Sequence, residues 1–275
     1  MRSMTLSWLT ALICACSSAP PERGSEPLEL SQLPMDQVKR SGQRLASLPL
    51  GLHELQPEPG QRASYRDSSP SYLLIHGFGS EGYEWVYSAH VSAARGPTSF
   101  WRWDWAQCPA EASAALLSQL TQLAERRPQA PIIALGHSYG GLILAKSAAQ
   151  YRGAARLEAH VIAAPLAGHP KLSARCGAEA TAQARPTEPQ VKLIQWKTRR
   201  ALDGAFQSLS FDAQASEAPH TSLLLGELYR AHRLGHNWSI SAVIDRLKRC
   251  DEKASAEREP CWSALGEHER SPSPK

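Results

Sequence analysis

Where apolar residues gather near the amino terminus, the sequence lacks the roughly 20 that a bilayer-spanning helix requires. The stretch from Leu6 to Cys16 is broken by Ser7 and Thr10 and stops short of that length, which excludes a spanning helix there. A large net charge is missing as well. The formal net charge is +4, spread along the chain with no basic arm, so a nucleic-acid partner has no footing. No Cys-x-x-Cys pair and no His-rich tract occurs, and no metal site or cofactor is read. A second block of distinct composition is also missing. At 275 residues and 42% hydrophobic content, the chain fits one domain with a substantial core and short appendages. Tryptophan is the aromatic that stands out. Trp101, Trp103 and Trp105 fall together and read as a core strand with its flanks.

What the amino terminus does contain is a short positive start at Arg2, an apolar core of signal-peptide length, and then Ser17-Ser18-Ala19-Pro20-Pro21. This reads as an export signal. Ile13-Cys14-Ala15-Cys16 resembles a bacterial lipobox, with Cys16 as the lipidated residue because small Ala15 precedes it. That resemblance implies a membrane tether through lipid on the periplasmic side of the cell envelope, each buried methylene contributing about 0.8 kcal/mol. The Ser/Pro/Glu-rich stretch to Pro34 would be the linker. Beyond the leader stand Cys108, Cys176, Cys250 and Cys261. An even number in an oxidising compartment points to two disulfides, and three pairings exist. Cys250 with Cys261 is preferred, because it pins the tail to the last helix, and this leaves Cys108 for Cys176.

Along the chain, a short helix is expected near Val38–Leu48, with one or two edge strands before residue 70. Tyr72–Ile75 is a short apolar run bounded by glycines, as in a strand buried on both faces. Helix is expected over Glu84–Ala94, and a period-two strand over Ser99–Trp105. Pro109 and Glu111 open a helix whose apolar residues recur through Leu123 at three- and four-residue spacing. Strands follow at 131–135, 158–164 and 191–196, with a helix over 142–151 and an irregular segment over 166–190. A last strand is placed at Glu227–Leu234 and a last helix at Ser239–Cys250, followed by a tail expected to be disordered apart from Cys261 and Trp262. Alternating strands and helices predict a mostly parallel sheet with helices on both faces, and an active site at the carboxyl ends of its strands.

Gly136-His137-Ser138-Tyr139-Gly140 fits G-x-S-x-G between an apolar strand and a helix, the context that makes this motif a nucleophile turn. His76-Gly77-Phe78-Gly79 matches H-G-x-G after an earlier strand, about sixty residues upstream. On these residues the chain resembles the α/β-hydrolase superfamily, in its lipase and esterase branch, over roughly residues 70–250. The resemblance implies an α/β-hydrolase fold with Ser138 as nucleophile and an oxyanion hole from the amides of Phe78 and Tyr139, with His76 shaping the loop. It places the acid after the next-to-last strand, where Asp203-Gly204 stands, with Asp212 in reserve. For the base it favours His236, just before the final helix, over His220. The implied chemistry is hydrolysis of a carboxylic ester through an acyl-enzyme, without cofactor or metal. The rivals are an acyltransferase or thioesterase using the same triad, and a tethered binding protein without turnover. Phe78, Tyr83, Trp85 and Tyr139 are candidate lining for an acyl pocket. The organisation read is a signal over 1–16, a tether over 17–34, a catalytic domain over 35–250 and a tail over 251–275. The expected partners are a small-molecule or lipid ester and the membrane, and the expected state is a monomer.

Overall fold

The computed structural model describes residues 27–57, 65–251, 253 and 255–267. The export signal, Cys14 and Cys16, and the tether before residue 27 lie outside the described residues. The first half contains β1 (Leu28–Glu29), α1 (Val38–Ala46), β2 (Gly51–Gln56), β3 (Ser71–Ile75), α2 (Tyr83–Ala93), β4 (Thr98–Arg102) and α3 (Pro109–Arg126). The central unit is β5 (Ile132–His137), α4 (Tyr139–Gln150), β6 (Leu157–Ile162), α5 (Pro170–Cys176) and β7 (Val191–Lys197). β8 (Thr221–Leu224), a hairpin of β9 (Leu228–Tyr229) and β10 (His232–Arg233), α6 (Trp238–Cys250) and α7 (Ser255–Glu267) complete the chain.

Strands β1 to β8 form one sheet in the order β1-β2-β4-β3-β5-β6-β7-β8. From β4 to β8 every pairing is parallel, and β2 runs antiparallel to β4. This is the α/β-hydrolase fold. The apolar runs of β3, β5 and β6 are buried at every position, because helices cover both sides of a parallel sheet. Alternate residues feed two cores. Tyr72, Leu74, Ile133 and Leu135 pack with Trp85, Val243 and Ile244 on one face. Leu73, Ile75, Ile132 and Ala134 pack with Leu116, Leu120 and Leu142 on the other.

Several expectations need correction. The fold begins before residue 35: β1 pairs with β2, and Leu28, Leu30 and Leu33 are buried in the core. The tryptophan strand ends at Arg102, and Trp103 turns off it so that its indole donates to the His76 carbonyl at 2.9 Å. The 166–190 segment holds α5, started by Pro170 and capped by the His169 ring. The last strand of the sheet is β8 at 221–224, and the residues assigned to it form the separate β9–β10 hairpin. Within the tail Ser255–Glu267 forms α7, with Trp262 buried against His160 and Trp196. Both disulfides pair as expected, Cys108 with Cys176 and Cys250 with Cys261.

Candidate active site

The carboxyl ends of β3, β5 and β7 point the same way, and the segments leaving them meet above the sheet. β5 ends at His137 and α4 begins at Tyr139, so Ser138 alone makes the turn. Its backbone sits at φ 53°, ψ −121°, a left-handed φ that a residue with a Cβ rarely adopts. The glycines explain how the turn closes. A Cβ on Gly140 would lie 2.3 Å from the His76 carbonyl, and one on Gly136 would lie 2.8 Å from the Gly140 carbonyl. Strand, turn and helix therefore approach closely, and Ser138 stays partly exposed at the crest.

The His76–Gly79 loop leaves β3 beside this turn. His76 is buried; its Nδ1 donates to the Gly77 carbonyl at 2.9 Å, and its Nε2 accepts from the Trp103 amide at 3.2 Å. Burial pushes the ring down to about 4, against the Gly77 hydrogen bond and with help from the Arg102 charge. His76 is thus a neutral strut, as expected. Phe78 projects from the loop, 60% exposed, with its ring edge against Trp105. Tyr139 and Trp85, considered as pocket lining, are buried; Trp85 packs in the core and Tyr139 Oη donates to the Gln107 carbonyl at 2.6 Å. Phe78 and Tyr83 do line the cleft.

Asp203 follows β7 and is fully buried. Its Oδ2 accepts from His236 Nδ1 at 2.9 Å and from Thr198 Oγ1 at 2.5 Å, and its Oδ1 accepts from the Ala205 amide at 2.9 Å. Burial pulls this carboxyl upward, but the His236, Thr198 and Ala205 interactions outweigh it and hold it below the ordinary aspartate value. His236 lies between the β9–β10 hairpin and α6, with its ring edge-on to buried Phe206 at 5.2 Å. A cleft of about 150 Å³ brings Ser138, His236, Gly77, Phe78 and His137 onto one surface.

The two reserve residues lie elsewhere. His220 precedes β8 and bonds through backbone and Nδ1 to Leu193, near the start of β7 and so at the opposite end of the strands from the cleft. Asp212 accepts from Lys197 Nζ at 2.6 Å.

Sequence reasoning missed two supports. His137, buried between the motif glycines, donates from Nε2 to the His236 carbonyl at 3.1 Å, fixing the backbone of that loop. Burial, then the His236 charge, drive its proton affinity well below the ordinary histidine value. Thr198 is locked behind Asp203 by Gln214, which accepts from its amide at 2.9 Å and donates to its carbonyl at 3.0 Å. His137 fills a position that the serine motif leaves open, and Thr198 belongs to no motif; only a buried polar residue near a strand end marks them. Among the described residues no group of three or more His, Cys, Asp or Glu is arranged for a metal ion, and no helix is long and apolar enough to cross a membrane.

The model of the alpha/beta hydrolase family matches residues 72–252, which include every residue of this cleft. No curated protein matches the sequence. Similar solved structures include the lipase BlEst2 of Bacillus licheniformis in mature form, at 11% identity and TM-score 0.49 over 70% of this chain and 94% of that one. A second is a putative hydrolase of Agrobacterium vitis, at 12% identity and TM-score 0.44 over 67% and 87%. A third is an alpha-beta serine hydrolase homologue of Coxiella burnetii, at 14% identity and TM-score 0.44 over 72% and 89%.

Proposed function

The chain belongs to the alpha/beta hydrolase family, and from that premise we propose that it hydrolyses carboxylic esters through Ser138, His236 and Asp203. The observation that carries the reading is that a serine on a strained turn shares one cleft with a histidine whose Nδ1 is already committed to a buried carboxylate. Because Nδ1–H donates to Asp203, the bare lone pair is on Nε2, the atom that takes the Ser138 proton. Ser138 Oγ then attacks the ester carbonyl. Negative charge collects on the carbonyl oxygen, and the amides of Phe78 and Tyr139 receive it, each donor contributing about 3–4 kcal/mol. Tyr139 suits this role as the first residue of α4, where amides have no partner within the helix. His236 returns its proton to the departing alkoxide. Water repeats the sequence on the acyl-enzyme and releases the acid.

The test is hydrolysis of p-nitrophenyl acetate and butyrate by three variants. Ser138→Ala and His236→Ala should each lower kcat/KM by about 10⁴-fold or more, while His220→Ala stays near wild type. Loss in His220→Ala with activity kept in His236→Ala would remove His236 from the mechanism.

We also propose that the protein is exported and held to a membrane through lipid on Cys16. The two disulfides support the export half, since such bonds persist in oxidising compartments. Radiolabelled palmitate supplied to expressing bacteria should enter the wild-type protein and not Cys16→Ala; equal labelling of both would reject the anchor.

A further inference from the structure

A second, larger depression of about 700 Å³ begins at His236 and runs away from Ser138. Its walls are Met35, Val38, Tyr87, Tyr229 and Trp238, and it meets the first cleft at Tyr83, Glu84, His236 and Asn237. Large apolar side chains on a protein surface usually stand singly. Here Met35 at 49%, Val38 at 41%, Tyr83 at 38% and Trp238 at 44% exposure gather around one groove. A groove of this size is within the range of small-molecule sites, roughly 300–1,000 Å³.

The walls are held in place. The Trp238 indole stacks on His232 at 4.9 Å and leans on Tyr229 at 5.8 Å. Tyr229 leads into a turn in which Arg230 and Ala231 both have left-handed φ, 48° and 63°, without being glycine. Such a turn persists where other contacts over-determine it. Asp245 provides them, accepting from Tyr229 Oη at 2.7 Å, Arg230 Nη2 at 2.8 Å and Tyr87 Oη at 2.5 Å. The groove's cation is thereby neutralised. Its carboxyl group, Glu84, accepts from the Ser80 hydroxyl, and burial raises its proton affinity. The opposite wall comes from Met35 and Val38, which precede the segment matched by the family model.

We propose that this groove binds an apolar leaving group, so that the substrates are esters of long-chain alcohols. The inference rests on the proposed triad. In that mechanism His236 hands its proton to the leaving oxygen, so the substituent on that oxygen emerges on the imidazole side, where the groove starts. The acyl substituent sits on the other side of the carbonyl carbon.

The test uses two ester series: acetates of straight-chain alcohols from ethyl to decyl, and ethyl esters of acids from acetic to decanoic. The account expects kcat/KM to rise about two- to fourfold per methylene along the alcohol series, as buried methylenes should, and to rise less along the acid series. In Trp238→Ala and Val38→Ser the decyl-to-ethyl acetate ratio should fall at least about tenfold, the deletion of several buried methylene contacts. That ratio is internal to each variant and does not depend on how much of it folds. A steeper rise along the acid series, or an unchanged ratio in both variants, would overturn the assignment. Calorimetric titration with decanol separates this failure from failure of the triad. Saturable binding to Ser138→Ala that is lost in Trp238→Ala supports the groove whatever the fate of Ser138, and no binding to either rejects it.

Discussion

At the scale of single residues, the site depends on which imidazoles carry a proton. Three histidines lie close together, and their surroundings set them apart. His76 and His137 are buried and kept neutral, each giving its one N–H to a backbone carbonyl. His236 alone bonds a carboxylate. The neutral His76 has a consequence for stability. Its folded-state value of about 4 lies below the ordinary 6.5, so below pH 6.5 the unfolded chain takes up a proton that the folded chain refuses. The stabilisation is complete at neutral pH and is lost as pH falls from about 6.5 towards 4, about 3 kcal/mol in all. Urea unfolding at pH 7 and pH 4.5 should show a smaller acid loss in His76→Asn than in the wild type. Parallel losses would contradict the assignment. His137 titrates in the same direction but is present in both proteins, so it cancels in the comparison.

At the scale of elements, the sequence was readable where burial imposed a pattern and obscure where it did not. β3 and β5 are mostly apolar runs because helices cover both faces, and β3, β5, β6 and β7 each lie within a few residues of the expected position. β8 is an edge strand of four residues with alternating half-exposed and exposed positions, so it left no such run. The strand expected at Glu227–Leu234 is the hairpin, in which Leu228 and Tyr229 form β9. His236, whose cue in the sequence is the start of α6, lies beside Asp203. Ser138 was legible from a local motif, and Asp203 from a turn signal after β7. Thr198 and His137 were not, since their roles depend on partners 5 and 99 residues away. α7 was hidden because its charged sequence resembles a solvated tail. The contacts that hold it include the Cys250–Cys261 bond and Trp262 against His160 and Trp196. With its cysteines 11 positions apart, the bond should contribute about 3 kcal/mol in the chain-entropy account. Cys250→Ser combined with Cys261→Ser should lower the urea-unfolding free energy by about that amount. Ester turnover below the transition should survive, because the bond lies at the end of α6 remote from His236. An unchanged unfolding midpoint would show that the helix is secured without the bond.

At the scale of the whole molecule, a parallel sheet collects loops distant in sequence at one edge, and this chain places its chemistry there. The turn after β5 supplies a strained hydroxyl, the segment after β7 a buried carboxylate, and the chain after β8 an imidazole joined to it. Segments before the family match close the flank with an apolar wall. The central claim is that the Ser138 hydroxyl is the attacking group. Its most direct test is to treat the purified protein with a fluorophosphonate and map the adduct by peptide mass spectrometry. The account predicts one phosphonylated peptide, containing Ser138, formed in the wild type and absent from Ser138→Ala. An adduct on another residue, or equal modification of both proteins, would contradict it.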